Sequence, residues 1–316
     1  MVEKGIDLEK VKALLKRGDV VAIPTETVYG LAANALDANA ITKIFSIKNR
    51  PEFDPLIVHV ADLDAAQLYV DAIPHQAYQL ASLFWPGPLT LVLKKKNIIP
   101  DIVTAGLDTV GIRCPDHSLT RRLLQELALP LAAPSANPFG YVSPTRPEHV
   151  AEQLGAKIPY ILDGGPCTVG IESTIVGFEP NGPVIYRLGG LSVEKIESVV
   201  GRVGLMEYST SNPKAPGQLK SHYAPGKKLM IGKIEDLLQK YPAHCSGILT
   251  FTKDFNSPHQ IILSRAGNME EAAKNLFAAL RQFDTMEIDV VLAELLPEEG
   301  LGRAINDRLK RAAAEN

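Results

Sequence analysis

Apolar residues follow two rhythms along this chain. Short apolar runs predict buried strands at 20–23, 56–60, 89–93, 110–113, 131–133, 160–162, 173–176 and 184–187. Between them, apolar positions at helical spacing predict helices over 8–17, 38–48, 75–84, 119–127, 148–154 and 193–200. Leu8, Val11, Leu14 and Leu15 share one face of the first of these. Thr145 followed by Glu148 reads as a capping box opening the fifth. Several strands lie too close together for helical crossovers, so the α/β domain they form, residues 1–203, should carry a mixed sheet.

Periodicity fades over 204–226, where EYSTSNPKAPGQLKSHYAPGK is rich in Ser, Pro, Gly and Lys and reads as a linker. It restarts with strands at 247–251, 260–263 and 289–295 and helices at 271–283 and 303–313. Residues 227–316 therefore form a second, smaller α/β domain. Two domains also suit the length of 316 residues.

Composition narrows the class. No apolar run reaches the roughly 18 residues of a membrane span. The N-terminus carries Glu3, Asp7 and Glu9 and lacks the apolar core of a secretory signal. The three cysteines, Cys114, Cys167 and Cys245, are scattered, which argues against a zinc site or a disulfide framework and for a reducing cytoplasm. A net charge of −3 does not suit a protein that clamps nucleic acid over its whole surface. Any RNA contact must be local, for example at Lys94–Lys95–Lys96 or Arg121–Arg122, and both runs also read as solvated faces.

The common phosphate-binding fingerprints are absent: no GxxxxGK[ST], no GxGxxG after a strand, no HExxH and no GxSxG. Polar loops beside the strands stand out instead. They are the stretch from Pro24 to Gly30, Lys48–Asn49–Arg50–Pro51, His59 in its strand, Thr109 and Arg113 bracketing another, Pro134–Ser135–Ala136–Asn137, and the stretch from Gly170 to Thr174. Hydroxyls, amides and fixed cations of this kind suit a polyphosphate and a small carboxylate. Each also has a structural reading. Thr25 and Thr27 suit turn hydroxyls, Lys48 and Arg50 suit a helix C-terminus, His59 suits the core, and Tyr29 suits packing.

Taken together, PTETVYGL, K-x-R with PLIVHV, WPGPLTLVL, VGIRCP, APSAN and GIESTIV resemble the YrdC-type threonylcarbamoyl-AMP synthase family. SHYAP at 221–225 and GLGRAINDRLKRAA resemble its long, two-domain form, with a YrdC-like first domain and a Rossmann-like second. Asp54 stands where such proteins commonly have Asn, and Ala215–Pro216–Gly217–Gln218 departs from the usual SPGM.

The resemblance implies an enzyme that condenses L-threonine, bicarbonate or CO2, and ATP to threonylcarbamoyl-adenylate and pyrophosphate. It implies Mg2+ carried by the ATP phosphates rather than by protein ligands. The product would pass to a separate transferase complex that modifies tRNA adenosine. By motif match, Lys48, Arg50, Ser135 and Asn137 form the catalytic tetrad. Arg50, Asp54, Thr109, Ser135, Ser143, Arg187 and Tyr223 map to ATP, and Thr27, His59, Arg113, Ala133 and Ser173 map to threonine. Tyr223 lies in the linker, which implies a lid. The rivals are a non-catalytic RNA-binding relative and a hydrogenase-maturation carbamoyltransferase, whose cysteine-rich zinc motifs three scattered cysteines cannot build.

Overall fold

The computed structural model describes residues 2–206, 213, 215–217 and 223–314. Much of the predicted linker, including Ser221 and His222 of the SHYAP motif and Gln218, lies outside the described residues.

Among the described residues, eleven strands form one mixed sheet. Its spatial order is Glu3–Gly5, Tyr160–Leu162, Val21–Ile23, Gly30–Asn34, Leu131–Ala132, Ile57–His59, Thr109–Arg113, Leu89–Lys94, Thr174–Glu179, Gly182–Arg187, Gly204–Leu205. Parallel and antiparallel pairs are mixed along it, as the short connections require. One face is closed by a large apolar core under the helices Ala38–Lys48, His75–Phe84 and Val193–Val200. The other face is covered at one end by Leu8–Lys16 and Ser118–Leu127. Farther along that face a smaller cluster, Ile57, Val92, Ile175 and Tyr186, packs against Ala215 instead of a helix.

Four parallel strands form the second sheet, in the order Lys228–Ile231, Val290–Ala293, Ser246–Thr250, Gln260–Ile262. Met269–Asp284 and Gly302–Ala312 cover one face and Ile234–Leu238 the other, a doubly wound arrangement. The core beneath the two longer helices also takes in Val28, Val142, Ile171 and Tyr223 from earlier in the chain, so apolar packing joins the two halves.

Three local expectations change. The helix expected from a Thr145–Glu148 capping box runs Pro147–Leu154, with Arg146 at its N-cap and no side-chain cap bond. Pro147 decides this, because its fixed φ and missing N–H suit the first helical position. The strands Gly30–Asn34 and Lys228–Ile231 were not expected. Gly204–Leu205, expected within the linker, pairs in parallel with Val184 and Ile185.

Candidate active site

The cleft lies where helical cover of the second sheet face stops. Ile57 and His59 stand two apart on one strand and so project to the same side. Register places His59 beside Arg113 and Ile57 beside Gly111. Ala133 and Ser135 follow the neighbouring strand, and Ser173 precedes Thr174–Glu179. Pro216, Gly217 and Tyr223 line the opposite side. The cleft holds about 520 Å³ of non-atom space, part of it open to solvent.

The turn after Val21–Ile23 is built by Thr25. Its hydroxyl donates to Val28 O at 2.6 Å and accepts from the Thr27 and Val28 backbone N–H groups at 3.2 Å. Thr25 is therefore a turn former, and Thr27 is the hydroxyl presented to the cleft. Tyr29 donates to Gly165 O and is a packing residue, as its setting predicts.

Arg113 is fixed from one side. Its Nε donates to Gly87 O at 3.3 Å. Its Nη2 lies 2.7 Å from Glu26 Oε1, close enough for an ion pair although the atoms are not aligned as a hydrogen bond. Glu26 Oε2 accepts from the Asp116 backbone N–H at 3.0 Å. His59 is buried, and its Nδ1 has no partner among the described residues. Burial, with the nearby Arg113 charge, pushes its pKa down to about 3, so the ring is neutral at ordinary pH.

Arg50 follows Asn49, the left-handed C-cap of Ala38–Lys48. Its Nε donates to Asp54 O at 3.1 Å and its Nη2 to Pro55 O at 2.8 Å, and Nη2 pairs with Asp54 Oδ2 at 2.9 Å. Arg50 and Arg113 are thus both anchored through Nε and Nη2, and the Nη1 donors have no partner among the described residues. Asp54 is fully buried as the counter-charge that holds Arg50.

Lys48 is 1% exposed, so it is not a solvated helix cap. Its ammonium reaches away from its own helix to Ser135 O at 2.5 Å and Asn137 O at 2.6 Å. Burial first, and then the Arg50 charge, lower its pKa well below the usual value. Asn137 Nδ2 donates to Pro138 O and Tyr141 O, whereas its Oδ1 is a buried acceptor without a described partner. Arg187 donates from Nε and Nη2 to Ser173 O at 3.2 and 2.9 Å, and from Nη1 to Pro216 O at 3.3 Å.

Of the residues singled out from sequence, Thr27, Arg50, His59, Arg113, Ala133, Ser135, Ser173, Arg187 and Tyr223 line this one cleft. Lys48, Asp54, Asn137 and Ser143 are buried outside the lining. Thr109 shares the sheet face of Arg113 but stands four residues from it, about 13 Å along the strand, and does not line the cleft. Gly111, between them on that face, carries no side chain.

Sequence reasoning assigned no role to Glu26 or Glu172. Both were visible inside PTETVYG and GIEST, but their charge partners lie far along the chain. Glu172 is the only carboxylate among the described lining residues, and its partner Arg308 is 136 positions away. The basic runs are engaged locally: Lys95 binds Asp101, Lys96 binds Gln67 O, and Arg122 binds Glu126.

A cleft walled by three arginines, hydroxyls and a neutral imidazole on a mixed sheet defines an α/β protein built to take small anionic ligands. Residues 13–189 match the Sua5/YciO/YrdC family model, described as "Telomere recombination", and residues 191–314 match "Threonylcarbamoyl-AMP synthase, C-terminal domain". A threonylcarbamoyl-AMP synthase of Pyrococcus abyssi is 41% identical over 95% of this chain and 92% of its own length. One of Bacillus subtilis is 41% identical over 97% and 92%. A crystal structure of P. abyssi Sua5 complexed with L-threonine superposes with a TM-score of 0.93 at 38% identity, covering 99% of this chain and 97% of that one. The chain belongs to the threonylcarbamoyl-AMP synthase family, in its long two-domain form. Among the described residues no helix is long and apolar enough to cross a membrane.

Proposed function

We propose that this chain joins L-threonine, bicarbonate or CO2, and ATP into threonylcarbamoyl-adenylate with release of pyrophosphate. The observation that carries the reading is a single cleft holding both candidate residue sets, in a chain similar throughout to a relative crystallised with L-threonine.

Threonine enters with its carboxylate on Arg113, whose backing by Glu26 fixes the guanidinium plane. Thr27, the neutral His59 and Ser173 offer hydroxyl and imidazole partners to the rest of the amino acid, and Ala133 bounds its methyl side. The threonine amine adds to CO2, losing a proton as the N–C bond forms. A carbamate oxygen then attacks the α-phosphorus of ATP, and the bond to pyrophosphate breaks. Arg50 faces the charge that develops there, with Lys48 behind it holding the Ser135–Asn137 loop. Alignment of two weak reactants supplies a large share of the rate, on the order of 7–11 kcal/mol at best.

Ser135, Ser143, Arg187 and Tyr223 belong to the nucleotide side. Magnesium accompanying ATP would neutralise triphosphate charge. Among the described residues no three His, Cys, Asp or Glu side chains cluster, and the buried, unpartnered Asn137 Oδ1 is the acceptor that fits the ion or its water.

In this reading residues 1–203 carry the chemistry, the described linker residues 215–217 and 223 screen the mixed anhydride from water, and 227–316 support both. Pro216, Gly217 and Tyr223 on the cleft wall favour that screening role. The enzyme works in the cytoplasm, and a separate complex transfers the threonylcarbamoyl group to tRNA. The test is pyrophosphate release from ATP with threonine and bicarbonate omitted in turn. Omitting either should stop it, and release indifferent to threonine would end the proposal.

A further inference from the structure

The geometry points to a positioning task for the C-terminal domain: we infer that Arg308 holds Glu172, the carboxylate on the cleft wall, and through it the adjoining Ser173 of the proposed threonine pocket. Arg308 stands on Gly302–Ala312 and is fully buried. Its Nε donates to Glu172 Oε2 at 2.9 Å, its Nη2 to Leu188 O at 2.9 Å and its Nη1 to Asp307 Oδ2 at 2.6 Å. Its guanidinium also lies 4.9 Å from the ring centroid of Tyr223, which lines the same cleft.

The second oxygen of Glu172 is held as well. Oε1 accepts from Ser143 Oγ at 2.5 Å. The carbonyls of Val142 and Ser143 in turn accept from Arg281 on Met269–Asp284, at 2.5 and 3.4 Å. Both oxygens therefore trace to arginines of the C-terminal domain. Glu172 is bonded to Ser173, whose carbonyl and hydroxyl take Arg187. A shift of the Glu172 main chain, once its side chain is released, would carry Ser173 and the groups that Arg187 grips.

Domain docking alone does not account for this pair. Apolar packing already joins the two halves through Val28, Val142, Ile171 and Tyr223. A fully buried ion pair is a poor glue, since well-packed apolar replacements of such pairs are often as stable or more so. What an ion pair supplies is direction, which a wall built from fixed side chains needs.

The inference rests on the proposed reaction for its kinetic arm only. Arg308→Gln should lower kcat/KM for threonine about tenfold to a hundredfold while the protein stays folded. Arg308→Lys, which keeps the charge but loses the fork, should recover part of that loss. The pair Glu172→Gln with Arg308→Met removes the charges together. It should melt within a few degrees of wild type and remain impaired. Activity restored along with stability would overturn the inference, as would Arg308→Gln kinetics within twofold of wild type. A crystal structure of Arg308→Gln reads the same point without turnover: the Glu172 carboxylate should turn from its present place, and an unmoved carboxylate refutes the role. A wild type that is silent with threonine, bicarbonate and ATP would count against the proposed reaction instead, and the crystallographic arm would still decide this one.

Discussion

Two trios of buried arginines separate binding from support in this molecule. Arg50, Arg113 and Arg187 belong to the large sheet domain, and Arg281, Arg308 and Arg311 to the small one. All six are 8% exposed or less. The first trio lines the cleft, and Arg50 and Arg113 keep Nη1 donors clear of described partners. The second trio donates to protein groups: Glu172, the carbonyls of Val142, Ser143 and Leu188, and Gly217 O. Burial and charge are the same in both. In this reading Arg50 and Arg113 are told from the braces by a donor left without a described partner, and Arg187, whose donors all reach Ser173 and Pro216, by its place on the cleft wall alone.

Substitutions can break this comparison. The largest effect is expected at Arg113. Arg113→Ala should lower kcat/KM for threonine by about a thousandfold and, by leaving Glu26 buried without its counter-charge, destabilise the fold by about 3–5 kcal/mol. Arg113→Lys separates the two, with stability largely kept and threonine binding still weak. Steady-state kinetics beside thermal melts would show it. Next, Lys48→Met should lower kcat about a hundredfold, because the Ser135–Asn137 loop loses both of its bonds to the Lys48 ammonium. Equal losses of folding and activity would make Lys48 a structural residue after all. Arg311→Ala should cost less than about tenfold, since its bonds to Gly217 O and Asp307 brace the cleft wall from behind, outside the lining. An Arg311 effect as large as that of Arg113 would erase the distinction between the trios.

The smallest effect is in pH dependence. Burial alone would raise the Glu172 pKa, but the Arg308 and Arg187 charges and the bonds from Ser143 and Arg308 hold it below the usual 4.5. A depressed folded-state pKa contributes stability above the unfolded value, and that stability is lost as pH falls through the folded one. Wild type should therefore lose more stability than Glu172→Gln between about pH 5 and pH 3. Denaturant titrations at stepped pH would measure the difference.

Much of the large sheet was legible because its strands are β-branched runs bounded by turns, as at 89–93 and 110–113. Gly30–Asn34 was not, because GLAAN has neither β-branched residues nor alternation. The cleft residues were legible as motifs, whereas the braces were not. Arg308 and Arg311 sit in a polar helix where charges near the C-terminus read as solvated or as dipole partners. Only the docking of that helix buries them against Glu172 and Gly217. The Asp54 departure also became readable only in three dimensions, as the counter-charge of Arg50.

The central claim is that one cleft brings threonine-derived carbamate to the α-phosphorus of ATP. It is tested most directly by following pyrophosphate and nucleotide product together, with threonine and bicarbonate supplied singly and jointly. Stoichiometric pyrophosphate and threonylcarbamoyl-adenylate only when both are present is the predicted result. Pyrophosphate release at the same rate without threonine would contradict it.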